Sequence, residues 1–278
     1  MSLGVFLAVM AAALLHAGWN AIIRFGRDKF QGMFLLSVCQ GVMGAVLIFL
    51  YPLPTGQTWA WLAGSAVLHS GYKAFLTFAY MHGDLSRVYP IARGTAPMLV
   101  ALTGAFLLAD IVAPLEYFGI LLIGAGIVMM ARGVFVHGES RALLSYAFAS
   151  AVMTAGYSLF DGFGARVAGD AAMYVAWMFV LDGVLFLAWG LWYRGRSAMP
   201  RSARLWGLGA LAGAASYGAY GIAVWAMTVA PIALVTALRE TSVLFAVLIG
   251  VVFFGERADR GKLAAAVLIA GGVAMTRL

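Results

Sequence analysis

Long apolar stretches follow one another along the whole chain, and short polar connections separate them. Runs of about 20 apolar residues are typical of helices that cross a bilayer. Ten such spans are predicted: Leu3–Ile23, Gly32–Tyr51, Thr58–Met81, Leu85–Leu108, Pro114–Ala131, Leu143–Phe163, Ala171–Tyr193, Leu205–Thr228, Pro231–Phe254 and Ala258–Thr276. Because the connections are short, neighbouring spans should pack antiparallel. The pattern therefore predicts an all-α integral membrane protein with ten transmembrane helices.

The same pattern occurs twice in the chain. Residues 93–110, RGTAPMLVALTGAFLLAD, align without a gap with residues 239–256, RETSVLFAVLIGVVFFGE, which brings one arginine of each copy into register. Earlier in each copy, AGWNAIIRFG matches AGYSLFDGFG. An internal repeat of this kind determines the architecture. We therefore predict a first five-helix repeat over residues 1–137 and a second over residues 138–278.

Five spans in each copy fix how the two copies are related. With an odd number, the second repeat begins on the opposite side of the membrane. A pseudo-two-fold axis in the membrane plane must then relate the two, as in many secondary transporters. Arg93 and Arg239 each lie about 12 Å into their spans, at 1.5 Å per residue, and they enter from opposite faces. Both should reach the midplane, beside a central cavity between two inverted repeats.

Composition excludes a soluble protein. The chain is 64% hydrophobic and 10% charged, with a mean hydropathy of +0.95. The net charge of +7 would suit nucleic acid, but the basic residues sit in short connections, where they set topology. The lone Cys39 excludes an internal disulfide and a metal site built on thiolate pairs. No catalytic motif of a metalloprotease, serine hydrolase or P-loop enzyme occurs.

The basic residues also predict the orientation. The connections after the odd-numbered spans hold 13 of them: Arg24, Arg27, Lys29, Arg87, Arg132, Arg141, Arg194, Arg196, Arg201, Arg204, Arg257, Arg260 and Lys262. The opposite side holds Arg166 and Arg277. Because cytoplasmic connections are rich in lysine and arginine, both termini should face the periplasm.

Polar and aromatic residues inside the spans supply the candidate ligands. Span one carries HAGWN and span three carries HSGYK, so each places a histidine, an aromatic ring and a polar group on one helix face. A helix face of this kind can line a water-filled cavity and supply it with hydrogen bonds, a stacking surface and a proton site. The predicted substrate-binding set is His16, Trp19, Asn20, His69, Tyr72, Lys73, Arg93, Tyr157, Tyr217, Tyr220, Arg239 and Glu240.

The two arginines stand out because charge inside a membrane is costly and usually functional. Together, Arg93 and Arg239 would give a carboxylate or phosphate two planar forks. Glu240 points about 100° away from Arg239, so it would receive a substrate ammonium or hold the arginine through a neighbouring helix. Two structural alternatives stay open: an Arg239–Glu240 ion pair, and arginines that bind other acids or the carbonyls freed by Pro90 and Pro97.

Other polar residues also have structural alternatives. Both histidines would serve equally well to form hydrogen bonds between helices. Lys73 would extend its ammonium group to the inner membrane interface by snorkelling. Asp161 lies late in span six and would be interfacial. Asp182, central in span seven, needs a partner or a proton, and the sequence does not name one. Spans two, five and ten are nearly purely apolar and are predicted to face lipid.

These features resemble the EamA type of the drug/metabolite transporter superfamily. In each copy a span ends in a small-to-acidic pair, AD or GE, and a glycine-rich span follows, GAGIVMM or IAGGVAM. The family places a proline thirteen residues before a Gly-Glu pair. Here Pro97 stands thirteen residues before Asp110, whereas Val243 takes the proline's place before Glu256. The resemblance implies a central cavity lined by spans one, three, four, six, eight and nine.

The resemblance further implies a secondary transporter that exports amino acids or related small metabolites across the bacterial inner membrane by alternating access. Its predicted partners are a small-molecule substrate and the lipid bilayer, with a monomeric chain and no nucleic acid, metal or cofactor. A carrier for organic anions, such as phosphonates or sugar phosphates, is the alternative that two arginines would also suit. An intramembrane enzyme using a histidine with Asp161 is a further one, although no enzyme is predicted. A channel would need a continuous polar stripe.

Overall fold

The computed structural model describes residues 1–24, 28–82, 85–107, 112–130, 141–254 and 260–277. Helices account for nearly all of them, which confirms the all-α prediction. They are α1 (Leu3–Arg24), α2 (Lys29–Leu47), α3 (Thr58–His82), α4 (Leu85–Leu107), α5 (Pro114–Met130), α6 (Arg141–Ala168), α7 (Ala171–Arg194), α8 (Ala203–Val229), α9 (Ile232–Arg239), α10 (Ser242–Phe254) and α11 (Arg260–Met275). Short 3₁₀ turns follow α2 at Ile48–Leu50 and α7 at Gly195–Ala198.

The helices are those of a multi-pass membrane protein. Within the described ranges, six segments are long and apolar enough to cross a bilayer by length and composition: Leu3–Ile22, Lys29–Leu50, Arg141–Ala168, Ala171–Ala198, Ala203–Val229 and Ile232–Phe253. Helix α5 is apolar but shorter. Each of the ten predicted spans coincides with a helix, except that α9 and α10 share the ninth.

Aspartates cap the second helix of each half of the chain. Asp28 accepts backbone hydrogen bonds from Phe30 and Gln31 at 2.9 and 3.2 Å, and Asp170 accepts from the first turn of α7 at 2.8 and 3.0 Å. Such caps bind amide groups that have no partner within the helix. Gly169, at φ +72°, provides the left-handed turn between α6 and α7.

Helix packing follows a matched pattern between the two halves. Helix α3 packs along α6, and in the corresponding places α8 packs along α1; α2 packs on α7, and α5 on α11. A two-fold relation between spans one to five and spans six to ten would pair the helices in this way. The division at residues 137 and 138 stays a prediction.

Two glycine pairs bring these central helices close together. A Cβ atom built on Gly183 of α7 would lie 2.8 Å from the Cα of Gly41 in α2, and one built on Gly272 of α11 would lie 2.6 Å from the carbonyl oxygen of Gly119 in α5. Only glycine leaves room for backbones at this distance, which is how small residues promote helix association in membranes. Each pair joins one helix of the first half to its counterpart in the second.

Span nine is interrupted beside its charged residues. Helix α9 ends at Arg239, and the chain passes through Glu240 and Thr241 before α10 begins. The turn is tightened by i to i+3 bonds, from Glu240 N to the Ala237 carbonyl at 3.0 Å and from Thr241 N to the Leu238 carbonyl at 3.1 Å. Short 3₁₀ turns of this kind often occur at functional sites.

The prolines of span four do not interrupt its helix. Helix α4 runs unbroken from Leu85 to Leu107 although it contains Pro90 and Pro97. The interruption occurs in the matching span of the other half, which has Val243 in place of the proline. There the Thr241 hydroxyl donates to the Leu238 carbonyl at 2.7 Å, and such side-chain bonds compete with the helical ladder.

Candidate functional site

A small cavity lies among the helices of both halves. Its volume is about 40 Å³, and its lining is His16, Trp19, Met33, Leu36, Gln40, His69, Tyr72, Lys73, Tyr157, Phe179, Ser216, Tyr220 and Arg239. This volume holds a few water molecules, whereas ligand pockets usually measure about 300–1,000 Å³. The helices must therefore separate before a metabolite fits.

The lining differs from the one that the family resemblance implied. Helix α2 contributes Met33, Leu36 and Gln40, and α7 contributes Phe179, although these spans were assigned away from the cavity. The glycine contact between α2 and α7 holds both helices near the centre. Gln40 Nε2 donates to the Ser216 hydroxyl at 3.0 Å. The assignment of span two to the lipid is therefore wrong.

Arg93 and Glu240 form a buried ion pair between spans four and nine. The Nε of Arg93 donates to Oε2 of Glu240 at 3.0 Å, and Nη2 lies 2.8 Å from Oε1. The two residues are only 2% and 1% exposed. The Nε contact is a charge-assisted hydrogen bond, whereas Nη2 lies within ion-pair distance of Oε1 without forming a hydrogen bond to it. Glu240 therefore pairs across the halves of the chain rather than with Arg239, and Arg93 does not face the cavity as a free fork.

Lys73 and Asp182 form a second buried pair, between α3 and α7. The Lys73 ammonium contacts Oδ2 of Asp182 directly, and the Ser70 hydroxyl donates to Oδ1 at 3.1 Å. The lysine also lies 5.6 Å from the ring centre of Phe186. The partner that Asp182 required is thus Lys73, and this lysine is buried at the cavity edge instead of extending to the interface.

Asp161 is the centre of a buried polar cluster. His69 Nε2 lies 2.9 Å from its Oδ2, the Tyr220 hydroxyl donates to the same oxygen, and the Tyr174 hydroxyl donates to Oδ1 at 3.1 Å. The His69 ring stacks on Tyr157, with 4.0 Å between ring centres. Asp161 is fully buried among the helices and meets His69 midway along α3, so it belongs to the protein interior rather than to a solvated helix end. Spans three, six, seven and eight meet at this carboxylate.

Arg239 differs from the other buried charges. It lines the cavity at 6% exposure, and its Cζ lies 4.9 Å from the ring centre of Tyr220. Among the residues that the structure describes, no carboxylate lies within ion-pair distance of it and no hydrogen-bond acceptor contacts it. A cation held over an aromatic face is attracted to the ring, but its hydrogen-bond donors remain available to the cavity.

Helix α1 supplies the wall on another side. The Trp19 indole donates to Nδ1 of His16 at 3.3 Å, and the two rings meet edge to face at 4.9 Å. Asn20 donates to the His16 carbonyl at 2.8 Å, so its amide is used within the helix. Of the three residues predicted here, His16 and Trp19 line the cavity and Asn20 does not.

Tyr217 faces a second, larger cavity. This outer cavity has a volume of about 770 Å³ and lies where α2 and α6 end and α7 begins, the side that the predicted topology places in the periplasm. The Tyr217 ring lies 4.8 Å from the ring of Phe179, which lines the central cavity. The two rings therefore form part of the wall between the cavities, and Tyr217 is outside the central lining.

Sequence reasoning thus found most of the central cavity. His16, Trp19, His69, Tyr72, Lys73, Tyr157, Tyr220 and Arg239 line it, whereas Asn20, Arg93, Tyr217 and Glu240 lie beside it. The residues it missed include Gln40 and Phe179, together with Tyr174 behind the cavity wall. A glutamine in an otherwise apolar span was the signal that would have located Gln40.

Comparisons with known proteins agree with this architecture. A solved structure titled "Crystal structure of protein" superposes with a TM-score of 0.77 at 20% sequence identity, covering 99% of this chain and 96% of that one, and it therefore shares the fold. No curated protein matches the chain. Residues 142–278 match the EamA-like transporter family. Through this second half, the chain belongs to the EamA-like transporter family.

Proposed function

We propose that this transporter exports neutral amino acids or closely related metabolites across the bacterial inner membrane by alternating access. The proposal is carried by one observation: Arg239 is the cavity cation that has no ion-pair partner in the described part of the chain. Its guanidinium requires an anionic group, because a buried charge without one is costly. A substrate carboxylate would supply the planar partner that arginine binds best.

The other buried charges favour a single carboxylate over a phosphate. Arg93 is engaged by Glu240 and Lys73 by Asp182, so neither is free to balance a second negative charge. A phosphonate or sugar phosphate carries more charge than Arg239 alone neutralises. The remaining wall is largely aromatic and apolar, which suits an uncharged side chain. Organic anions remain the second candidate, because Arg239 would also bind them.

Alternating access is supported by the two cavities. The central one is too small for a metabolite, and the Phe179–Tyr217 contact lies between it and the outer cavity. Rocking one helix bundle against the other would open the central cavity to one side of the membrane at a time. The family is one of transporters, which argues against an intramembrane enzyme.

Counterflow into proteoliposomes tests the substrate class. Vesicles preloaded with unlabelled neutral amino acids should accumulate the labelled compound, and vesicles preloaded with phosphorylated compounds should not. Arg239→Ala should abolish this exchange, and Arg239→Lys should restore little, because an ammonium cannot reproduce the planar fork. Exchange of phosphorylated compounds alone would instead establish the organic-anion carrier. Amino-acid exchange that survives Arg239→Ala would refute the role of this residue.

The orientation has its own test. With both termini in the periplasm, a reporter fused after Leu278 that requires the oxidising periplasm should be active, and one that requires the cytoplasm should be inactive. The opposite pattern would overturn the predicted topology and the side assigned to the outer cavity.

A further inference from the structure

The three buried acids of the site differ in the partners that they hold. Glu240 is paired with an arginine and Asp182 with a lysine, both of which keep their charge throughout the physiological pH range. Asp161 is paired with His69 and two tyrosine hydroxyls. Histidine is the side chain whose charge ordinarily changes near neutral pH. Of the three acids, Asp161 is therefore the one whose ion-pair partner belongs to the residue type that gains and loses a proton near neutral pH.

The hydrogen bonds of His69 fix which nitrogen is available. Nε2 faces the Asp161 carboxylate at 2.9 Å, so the neutral ring carries its hydrogen on Nε2 and donates it to the acid. The ring is held flat against Tyr157, which prevents it from turning away. Nδ1 meets no hydrogen-bonding group in the described ranges, and the residue lines the central cavity. The Nδ1 lone pair is thus the acceptor that His69 can offer to a substrate.

Arg239 and His69 are joined through one ring. The guanidinium lies over the face of Tyr220, and the hydroxyl of the same tyrosine contacts Asp161 and lies 3.3 Å from His69 Nε2. Tyr220 therefore contacts both the arginine, which has hydrogen-bond donors for an anion, and the histidine, whose Nδ1 is an acceptor. An α-amino acid carries its carboxylate and its ammonium on neighbouring atoms, which suits this arrangement.

We propose that His69 is the specificity-determining residue for the substrate's ammonium, which it accepts through Nδ1, and that a proton bound to the same nitrogen excludes the substrate. This rests on the proposed function, in which Arg239 holds the carboxylate. Because the ammonium and the proton compete for one lone pair, the transporter exchanges one proton for one amino acid. A zwitterion that leaves while a proton enters moves one positive charge inward in each cycle.

The groups around His69 include one other side chain whose charge ordinarily changes near neutral pH, His16. The remaining neighbours are carboxylates, a lysine and an arginine, which ordinarily keep their charge near pH 7, and phenols, which ordinarily stay neutral there. The charged and titratable side chains that face it or its direct partners are Asp161 and Tyr157 from α6, Tyr220 from α8, Tyr174 and Asp182 from α7, Tyr72 and Lys73 from α3, His16 from α1 and Arg239 from α9.

Calorimetric binding to the purified protein in detergent tests the proposal with two ligands. L-Leucine has the ammonium, and 2-hydroxyisocaproate has a hydroxyl in its place. As the pH is lowered through the range in which the free protein binds the competing proton, the affinity for leucine should fall about tenfold per pH unit. In that same pH range, titration in two buffers of different ionisation heat should show about one proton released per leucine bound. The hydroxy acid should release none.

His69→Gln is the matched variant, since glutamine retains an N–H donor for Asp161 but does not titrate. It should bind leucine weakly, with no pH dependence and no proton release, and it should no longer prefer leucine over the hydroxy acid. His82→Gln makes the same change at the exposed end of α3, where the ring contacts the Phe78 carbonyl, and it should retain the wild-type pH dependence.

The outcomes separate this proposal from the proposed function. Leucine binding by the wild type without proton release, or a pH dependence that survives His69→Gln, would overturn the role of His69 and leave amino-acid transport standing. The wild-type proton count needs no variant, so misfolding of His69→Gln cannot obscure it. If the wild type binds no neutral amino acid from the counterflow panel, the proposed function fails, and the assignment of His69 fails with it.

Discussion

The sharpest prediction compares the two arginines that occupy the same position in the two halves of the chain. Arg93→Ala removes the partner of Glu240, which is 1% exposed. Breaking a buried ion pair by removing one member typically costs about 3–5 kcal/mol, because the remaining charge is left without compensation. Arg93→Ala should therefore lower the thermal stability of the purified protein sharply.

Arg239→Ala should behave differently. Arg239 makes no ion-pair contact with an acid in the described part of the chain and acts on the Glu240 charge only through space, so the direct contact that is lost is the one with the Tyr220 ring. Cation–aromatic contacts contribute about 0.5–2 kcal/mol. The variant should remain folded with a small change in melting temperature, yet it should lose amino-acid counterflow.

Two measurements on protein from the same preparations check the predictions for both arginines: thermal unfolding in detergent, and counterflow. The double change Arg93→Ala with Glu240→Ala should recover much of the lost stability, because it removes the uncompensated charge. The opposite assignment holds if Arg239→Ala destabilises as strongly as Arg93→Ala and if adding Glu240→Ala to Arg239→Ala restores both stability and transport. Glu240 would then depend on Arg239, and the cavity cation would be structural.

Three further predictions follow from the packing and the cavity walls. Gly272→Ala should lower the melting temperature, at a cost of about 1–3 kcal/mol for overpacking, whereas Gly271→Ala should not, because a Cβ there meets nothing within 4 Å. Asp182→Asn should destabilise the protein by leaving Lys73 buried without a carboxylate, at about 3–5 kcal/mol; adding Lys73→Met should restore thermal stability, and no recovery would contradict the ion pair. Tyr217→Ala should thin the wall between the cavities and so raise passive leak of the labelled substrate from proteoliposomes; an unchanged leak would exclude this ring from the barrier.

Much of the architecture was determined by the sequence alone. Apolar runs near 20 residues predict helices, because a helix satisfies every backbone hydrogen bond within lipid. The gap-free alignment of residues 93–110 with 239–256 indicates two copies of one pattern. The spacing HAGWN and HSGYK also placed His16, Trp19, Tyr72 and His69 correctly at the cavity. The helical spans and the residues that share a helix face could be predicted because they depend on local periodicity, which the order of the residues contains.

The partners of the buried charges were decided only by the tertiary structure. Glu240 adjoins Arg239 in the sequence but binds Arg93, which is 147 residues away, because α4 packs against α9 and brings that arginine to the carboxylate. The same holds for Lys73 with Asp182 and for Asp161, which becomes central only when α3, α7 and α8 close around α6. Which arginine stays available to a substrate is set by these long-range pairings, and no spacing along the chain encodes them.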